Sequence, residues 1–451
     1  MSSIFPSAFL RALKKDFNIE GERLFDDNAE PLTSIRLNPF KPSEKFSADT
    51  AVPWCINGRY LDLRPSFIAD PLFHAGCYYV QEASSMFLEQ ALKQTVDLSS
   101  SLRILDLCAS PGGKSTLINS LINDESLLVS NEIIKTRVPP LADNLAKWGT
   151  MNTVVSNNDP KDFNRLEGYF DVLVVDAPCS GSGMFRKDPE TIKQWSESAV
   201  ELCSQRQQRI LADVYPTLKE DGILIYSTCS YSKEENEVIA DWLKDKFEME
   251  SLRLELKDDW GVEETQSDKH HCYGYRFYPH QVKGEGFFLA CFRKKESTSD
   301  AKFYKERLPN INKNSLDFLK QWTDTVEDLF VLPAGDDYTA IYKHHQIDLA
   351  ILQAKLYLKK SGVRLGRMAG KDLIPDHELA LSLILYPDLS RIEVSAEEAI
   401  SYLRKDELKL AGYPLGWTLI TYKGYPLGWV KVLPNRINNY YPKEIRILKE
   451  F

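Results

Sequence analysis

The stretch that most constrains the fold of this chain is DLCASPGGKST, residues 106–116. Apolar residues precede it, two adjacent glycines stand in its middle, and a helix-compatible pattern follows. The sequence therefore predicts a strand, a tight turn and a helix start in direct succession. Such a turn presents unpaired backbone N–H groups and the positive end of a helix dipole, which together favour the anionic or polar end of a nucleotide-like ligand.

Two ligands compete for this turn. GKS at 113–115 suggests a phosphate loop, whose lysine would meet a nucleoside triphosphate while the strand ending at Asp176 supports magnesium. That loop requires glycine where this chain has Cys108, and Pro111 removes an N–H that would face phosphate. S-adenosylmethionine fits better, because a glycine turn admits its methionine end and an acid after the next strand can hold its ribose.

Length and composition set the class of protein. The 451 residues allow two or three domains, and 43% hydrophobic content is enough for real cores. No apolar run is long enough to span a membrane, and residues 1–7 do not resemble a signal peptide, so we expect a cytoplasmic protein with no membrane partner. The eight cysteines lack Cys-x-x-Cys spacing, which favours free thiols over disulfides or zinc. The HHC at 270–272 is interpreted as a loop, so no metal site is predicted.

The net charge of −9 is unevenly distributed. Residues 301–451 hold 22 Lys+Arg against 19 Asp+Glu, and the last 51 residues hold 9 against 4. A polyanion binds a local basic surface, so the carboxy-terminal part is where a nucleic-acid contact is expected. Residues 354–371 contain six basic residues and no acid, and an RNA backbone contact and a solvated face with turns explain this equally well.

The order of predicted elements indicates an α/β protein. Residues 1–70 predict a small lobe that either covers the next domain or contacts RNA, and residues 78–93 have a helical pattern. Apolar strands then alternate with helices, which indicates a doubly wound parallel sheet. The lobe's predicted elements are a helix at 7–17 and strands at 33–38 and 52–63; the sheet strands are 103–107, 127–131, 152–156, 170–176 and 222–228, followed by a hairpin of 273–278 and 286–293 that closes the sheet.

The tail has a different organisation. Residues 294–314 are polar and charged, as expected of a linker. GYPLGW occurs at 412–417 and 424–429, and this period predicts successive strands of a small β-barrel. The expected units are a lobe at 1–70, a ligand-binding domain at 71–295, a linker at 296–314, a first carboxy-terminal α+β domain at 315–380 and a barrel-like domain at 381–451.

Cysteine follows two of the predicted strands. DAPCSGSG at 176–183 ends the fourth strand, and STCS at 227–230 ends the fifth. The carboxyl ends of central strands open onto one crevice, so Asp106, Asp176, Cys179 and Cys229 should converge there. One such cysteine alone is usually packing, but two beside a cofactor turn indicate a reactive site.

A thiolate has a specific use beside a methyl donor. Carbon 5 of a pyrimidine is a poor nucleophile, but thiolate addition at carbon 6 makes it enamine-like and able to attack a sulfonium methyl group. A base must then remove the proton on carbon 5 so that the thiol can leave. Such a site needs a thiol, a carboxylate near the ring nitrogens and help with release, and this chain has residues for all three.

The combined motifs resemble the cytosine-5 RNA methyltransferases of the Sun/Fmu class. The resemblance extends over the whole catalytic domain and implies a Rossmann-like methyltransferase fold. The subtype that this chain most resembles is the bacterial RsmF-type enzymes, which modify 16S ribosomal RNA. The features that carry the subtype are GMFRKDPE, SGVRLG and the barrel-like tail. The motifs that carry the family resemblance are DLCASPGGKST, NE at 131–132, ND at 158–159, DAPCSGSG, STCSYSKEENE, FYPH at 277–280 and GEGFF at 284–288.

This resemblance implies a role for each matching residue. Cys229 would be the nucleophile, Cys179 the thiol that assists product release, and Asp176 a contact to the cytosine ring. Glu132 would hold the ribose and Asp159 would lie near the adenine. The methionine end of S-adenosylmethionine would be wrapped by Cys108, Ala109, Ser110, Pro111, Gly112, Gly113 and Lys114, with Asp176 beside it. RNA phosphate would be met by Arg186, Lys187, Arg364 and Arg367, the first two having a surface salt bridge as the alternative.

The prediction is an S-adenosylmethionine-dependent RNA cytosine-5 methyltransferase with a PUA-like tail. Its expected partner is 16S ribosomal RNA or the small subunit, not DNA, and the chain is expected to be a monomer. The target base must be unstacked to admit attack, so single-stranded or opened RNA is expected. Two alternatives are a transfer-RNA cytosine-5 methyltransferase and a non-catalytic ribosome-assembly factor that binds RNA.

Overall fold

The computed structural model describes residues 5–24, 32–297, 308, 316–323, 325–370, 372–408 and 412–449. Most of the predicted linker, and Lys371 of the basic stretch, lie outside these residues. None of the helices in the described ranges combines the length and the apolar composition needed to cross a membrane.

In its described residues, the amino-terminal lobe extends past residue 70 and contains three short α-helices and a three-stranded antiparallel sheet. Its elements are α1 (Ser7–Phe17), α2 (Gly21–Leu24), β1 (Thr33–Leu37), β2 (Gly58–Leu61), α3 (Pro71–His74) and β3 (Tyr78–Val80), in the sheet order β2-β1-β3. The amphipathic helix at 7–17 is confirmed and buries Phe9 and Leu13.

Two predictions for this lobe were wrong. The strand expected over 52–63 is only four residues long, because Cys55 and Gly58 donate backbone hydrogen bonds to Val52 and Cys55 and fold the preceding stretch into consecutive turns. The helix expected over 78–93 begins as a strand, since β3 pairs with β1 through Ile35↔Val80, so a run of aromatic residues satisfies its backbone in a sheet. Helix α4 (Leu88–Thr95) follows only after a 3₁₀ turn at Ser84–Phe87.

The central sheet is the predicted doubly wound one. Parallel strands lie in the order β8-β7-β4-β5-β6, and β12 then β11 and β10 extend it antiparallel beyond β8. Its elements are β4 (Arg103–Asp106), α5 (Gly113–Asn119), β5 (Leu127–Asn131), α6 (Val138–Trp148), β6 (Thr153–Ser156), β7 (Phe170–Asp176), α7 (Glu190–Gln194), α8 (Glu197–Val214), β8 (Leu218–Thr228), α9 (Glu237–Phe247), β9 (Glu250–Leu252), β10 (Glu263–Gln266), β11 (Tyr273–Phe277) and β12 (Phe287–Arg293). The strand order reverses between β4 and β7, which places the ligand crevice at their carboxyl ends.

The first carboxy-terminal part is joined to this sheet. Its elements are β13 (Leu329–Ala334), β14 (Asp337–Tyr342), α10 (Gln346–Lys355), β15 (Leu358–Ser361), β16 (Val363–Ala369), β17 (Asp372–Pro375) and α11 (His377–Leu381). Four of the strands form their own sheet, β13-β14-β16-β17, but β15 pairs antiparallel with β6 and becomes the edge of the central sheet. Leu349 and Leu352 of α10 pack into the same core as Val154 of β6.

The tail contains a second four-stranded sheet. Its elements are β18 (Arg391–Glu393), α12 (Ala396–Arg404), β19 (Gly416–Tyr422), β20 (Tyr425–Leu433) and β21 (Arg436–Asn439). The first GYPLGW copy leads into β19, which contains only its Gly416 and Trp417, and the second copy lies on β20 from Tyr425 onward; the two strands are successive and antiparallel as predicted. Trp429 of the second copy is buried and donates its indole N–H to the carbonyl of Asp376, so this aromatic residue packs the tail against the preceding part.

One buried lysine links three parts of the chain. The ammonium of Lys41 donates to the carbonyls of Ala75 (2.9 Å), Lys147 (2.6 Å) and Leu381 (2.7 Å). These carbonyls belong to the lobe, the end of α6 and the end of α11. The lobe and the carboxy-terminal part are thereby fixed to the same corner of the central domain.

Candidate active site

The glycine turn connects β4 to α5 and faces the crevice. Gly112 has a φ of +111°, a left-handed conformation that a side chain would strain, so glycine is required there. Gly113 begins α5, and a Cβ on it would lie 3.3 Å from the ring of Tyr79 in the lobe. The turn therefore brings backbone close to β3, and the first N–H groups of the helix are available to a ligand.

Asp106 lies beneath this turn and not in the crevice, which corrects the prediction of convergence for this residue. Its side chain is fully buried, and Ser115 donates to its Oδ2 at 2.6 Å. Ser130 donates to Ser115 in turn at 2.9 Å. Burial raises the pKa of Asp106 to about 7, because a charged carboxylate is poorly solvated there.

A cavity of about 390 Å³ opens over the turn. Its wall combines the turn, the ends of β7 and β8, the start of β12 and, unexpectedly, the lobe strand β3. The lining residues are Tyr79, Val80, Gln81, Glu82, Ser85, Cys108, Ala109, Ser110, Pro111, Gly113, Lys114, Asp176, Met184, Lys187, Cys229, Gly286 and Phe287. The lobe residues in this list were missed from the sequence because residues 78–93 read as a helix.

Lys114 and Asp176 form an ion pair inside the cavity. The ammonium lies 2.8 Å from Asp176 Oδ2, and Ser227 donates to Oδ1 at 2.7 Å, so both carboxylate oxygens are held. Burial alone would lower the pKa of Lys114, but the carboxylate of Asp176 outweighs it and the pKa is raised. The lysine of the turn is thus placed between the cofactor side and the strand end that carries the second motif.

The two predicted thiols are in contact. Cys179 Sγ lies 3.1 Å from Cys229 Sγ, where the loops after β7 and β8 approach each other. The hydrogen bond with Cys229 and burial raise the pKa of Cys179 well above its usual value, and the nearby Glu235 carboxylate adds to this. Burial and this contact therefore favour the protonated form of Cys179, and either sulfur can be the donor in the hydrogen bond between them.

The remaining predicted cofactor residues lie close to the turn without lining the cavity. Glu132 is buried at the end of β5, where it accepts from the N–H of Ile134 at 2.8 Å. Asp159 caps the helical turn after β6 and lies 3.8 Å from Arg209. Their ribose and adenine roles remain predictions.

Arg186 was predicted to contact RNA phosphate, but the structure places it in a buried ion pair. Arg186 is mostly buried and bonds to Glu285 at 3.1 Å and to the carbonyl of Gly284 at 3.3 Å, so it joins two loops in a buried ion pair rather than facing RNA. Lys187 lines the cavity and its side chain is exposed.

The basic side chains of residues 354–371 differ in their exposure to solvent. Lys360 forms a buried ion pair with Glu378, whereas Arg367 is exposed. Arg364 is exposed and lies 3.9 Å from Asp337. His270, in the predicted loop, contacts Asp245 at 2.7 Å, and the described residues contain no cluster of three side chains suited to a metal ion.

Comparison with known proteins identifies the relatives of this chain. Residues 5–83 match the model for the N-terminal domain of 16S rRNA methyltransferase RsmF, residues 93–293 that for 16S rRNA methyltransferase RsmB/F, and residues 389–447 that for the methyltransferase RsmF PUA domain. The chain is 30% identical to ribosomal RNA small subunit methyltransferase F of Psychromonas ingrahamii, covering 91% of this chain and 90% of that one. It is 29% identical to the protein of the same name from Vibrio campbellii, covering 98% and 97%.

Solved structures agree on the fold. A methyltransferase homologue from Pyrococcus horikoshii is 28% identical with a TM-score of 0.55, covering 64% of this chain and 95% of that one. NSun6 from Pyrococcus horikoshii, solved with SFG, is 19% identical with a TM-score of 0.55, covering 65% and 99%. Fold and site together define an S-adenosylmethionine-dependent methyltransferase. The chain belongs to the 16S rRNA methyltransferase RsmB/F family and has the RsmF amino-terminal and PUA domains.

Proposed function

We propose that this protein methylates carbon 5 of cytosine in 16S ribosomal RNA through a covalent adduct between Cys229 and carbon 6. The observation that carries the proposal is the contact of two thiols, 3.1 Å apart, at a cavity whose other wall is the glycine turn. Family membership supports the substrate, since relatives that are 30% and 29% identical over 91% and 98% of this chain carry the name ribosomal RNA small subunit methyltransferase F.

The cavity fits the proposed cofactor. Backbone N–H groups at the start of α5 and the conformational freedom of Gly112 allow close approach of a polar ligand. Residues 108–114 would hold S-adenosylmethionine, with Glu132 and Asp159 on its ribose and adenine sides. When bound, this cofactor supplies a sulfonium methyl group as the electrophile.

The chain's own residues would carry the covalent steps. The Cys229 thiolate adds to carbon 6, and the electron pair displaced from the carbon 5–carbon 6 double bond moves into the ring. Asp176, fixed by Lys114 and Ser227, is placed to accept a hydrogen bond from the amino group on carbon 4 and orient the ring, while the Lys114 ammonium beside it offsets the negative charge. Carbon 5 would then take the methyl group, whose bonding electrons would stay on the cofactor sulfur as a neutral thioether, and would carry both a methyl and a proton.

Release of the product requires a group that takes the proton from carbon 5 and a group that gives a proton to Cys229. Removal of the proton on carbon 5 restores the double bond, and the carbon 6–sulfur bond breaks with its electron pair returning to Cys229. Cys179 lies against this sulfur, so it can pass its proton to the departing Cys229 thiolate and take up the proton from carbon 5 in exchange. We assign Cys179 to this release step.

Most of the RNA backbone would be bound outside the cavity. The PUA domain and the exposed Arg364 and Arg367 would supply sequence-independent contacts there, and Lys187 would meet phosphate at the cavity itself. The proposed substrate segment is single-stranded or locally opened, because the ring must enter the cavity edge-first.

A methyl-transfer assay with methyl-labelled S-adenosylmethionine tests the function. The purified full chain is incubated with 16S RNA, with small subunits and with transfer RNA, and the labelled nucleoside is identified by mass spectrometry. The proposal expects 5-methylcytidine in 16S RNA or the subunit. Label only in transfer RNA would contradict the substrate, label on another atom the chemistry, and RNA binding without label would indicate an assembly factor.

A further inference from the structure

Glu235 is a buried carboxylate beside the two thiols. It lies in the one-turn 3₁₀ segment Lys233–Glu235 that follows the Cys229 loop, and its side chain is fully buried. Among the residues that the structure describes, no lysine or arginine is paired with it. A buried charge costs free energy unless it is well hydrogen-bonded. The hydrogen-bond partners of this carboxylate therefore indicate its role.

Its four hydrogen bonds come chiefly from the two cysteine loops. Oε1 accepts from the backbone N–H of Ser180 at 2.8 Å and from Gln207 Nε2 at 3.3 Å. Oε2 accepts from the hydroxyls of Ser180 and Ser230, each at 2.6 Å. Ser180 directly follows Cys179, and Ser230 directly follows Cys229. One carboxylate therefore ties together the residues next to both thiols.

We propose that Glu235 is a positioning residue that keeps the thiols of Cys179 and Cys229 in contact by bonding to the serine that follows each. Because Glu235 bonds to both cysteine loops, it fixes the distance between them, and the two Sγ atoms lie 3.1 Å apart. The catalytic consequence rests on the proposed function, whereas the thiol contact itself does not.

The negative charge of Glu235 also affects the protonation of Cys179. Its charge contributes to the raised pKa of Cys179, after the larger effects of the Cys229 contact and burial. Glu235 thus favours the protonated form of Cys179. A loss of this carboxylate should disturb both the distance and the proton placement.

Other contacts hold the loops independently, so the loops can remain folded without Glu235. The N–H of Gly183 donates to the carbonyl of Cys229 at 2.8 Å, and Ser182 and Ser230 are in contact at 3.3 Å. A purely structural role for Glu235 would lower stability without changing how the thiols meet. The positioning role predicts a change in the chemistry of the thiol pair in folded protein.

Thiol proximity can be measured without RNA or cofactor. Diamide accepts two electrons and two protons from Cys179 and Cys229, so that a disulfide forms while the azo bond becomes a hydrazine. The rate is followed by mass spectrometry of the linked peptides in wild type, Glu235→Ala, Glu235→Gln and the control Glu234→Gln, whose side chain is exposed one residue earlier. Melting temperature is measured for each variant.

We expect Glu235→Ala to slow this disulfide about tenfold, with Glu235→Gln intermediate and Glu234→Gln at the wild-type rate. Ser180→Ala removes one arm of the bridge and should slow it as well, which keeps the test available if Glu235→Ala does not fold. Wild-type rates in folded Glu235→Ala and Ser180→Ala would overturn the proposal.

A kinetic readout connects the bridge to catalysis. In the methyl-transfer assay, Glu235→Gln should lower kcat about 100-fold while the KM for S-adenosylmethionine stays at the wild-type value, because the cofactor turn does not contact Glu235. An unchanged kcat would overturn the catalytic part. If wild type itself transfers no methyl group, the proposed function fails while the diamide rates still decide the role of Glu235.

Discussion

Lys114 and Asp176 connect the cofactor turn to the catalytic strand end through an ion pair of 2.8 Å. The lysine is the second residue of α5 and the aspartate ends β7, so two residues 62 positions apart in the sequence form one ion pair. Ser227, just before the Cys229 loop, holds the other carboxylate oxygen. The orientation of Asp176 therefore depends on both neighbouring strand ends.

Replacing Lys114 should disable Asp176. In Lys114→Met the carboxylate loses the cation that orients it, and the cavity loses the positive charge that would offset negative charge on the ring. We expect kcat/KM for methyl transfer to fall about 100-fold. Lys193→Met, which alters an exposed pair with Glu190, is the matched control and should retain wild-type kinetics. Activity within a factor of about three of wild type would contradict the role assigned to this pair.

The lobe should be coupled to the cofactor turn through Arg36. This buried guanidinium bonds to Gln81 at 2.9 Å, to Thr116 Oγ1 at 2.5 Å and to Ser120 Oγ at 3.1 Å, joining β1 and β3 to α5. Arg36→Met leaves these groups without their donor and should lower the free energy of unfolding by about 3 kcal/mol.

Urea unfolding and cofactor titration check this prediction. Because β3 lines the cavity, Arg36→Met should also weaken S-adenosylmethionine binding. Arg11→Ala, on the exposed side of α1, serves as the control and should change neither quantity. Unaltered binding in Arg36→Met would show that the lobe is only a cover.

The carboxy-terminal part should stabilise the catalytic domain. Leu349 of α10 is fully buried in the central core, whereas Ile347 on the same helix is half exposed. Leu349→Ala should lower the free energy of unfolding by roughly 3 kcal/mol, and Ile347→Ala by well under about 1 kcal/mol. Urea unfolding followed by circular dichroism measures both. Equal effects would indicate that α10 does not share the core.

Asp106 should give a pH-dependent contribution to stability. Its pKa is raised from 3.8 to about 7, so between these values the folded state binds more protons than the unfolded state. Stability therefore falls as pH rises through this window. Compared with the neutral variant Asp106→Asn, wild type should lose roughly 4 kcal/mol between about pH 4 and pH 7, with no further change above.

Urea midpoints from pH 4 to pH 8 follow this difference. Asp97→Asn is the control, because that carboxylate is exposed and its pKa is lowered by bonds to Ser100 and Ser99. A constant difference between wild type and Asp106→Asn across the range would show that Asp106 stays ionised in the fold.

Local patterns predicted the central sheet because apolar strands, helix starts and glycine turns are encoded by neighbouring residues. The strands at 127–131 and 170–176 and the closing hairpin all follow from such signals. The two cysteine loops were predicted to meet because parallel strands end at one edge, and they do.

Long-range pairing accounts for what was missed. Tyr78–Val80 becomes a strand only because Ile35–Leu37 lies beside it, and β15 joins β6 across about 200 residues of sequence. Glu235 belongs to the motif STCSYSKEENE, on which the family resemblance depends. Its proposed positioning role depends on the hydrogen bond from Ser180, a residue that lies 55 positions earlier in the sequence. Arg186 was expected to face RNA, yet the carboxylate that buries it, Glu285, is remote in the sequence.

The most direct test of the proposed mechanism separates the two thiols. The full chain carrying Cys179→Ala or Cys229→Ala is incubated with 16S RNA and S-adenosylmethionine, then run on a denaturing gel. Cys179→Ala should accumulate an RNA–protein adduct that survives denaturation, because Cys229 adds but release is blocked, and Cys229→Ala should give neither adduct nor methylation. Methylation by Cys229→Ala at the wild-type rate would contradict the mechanism.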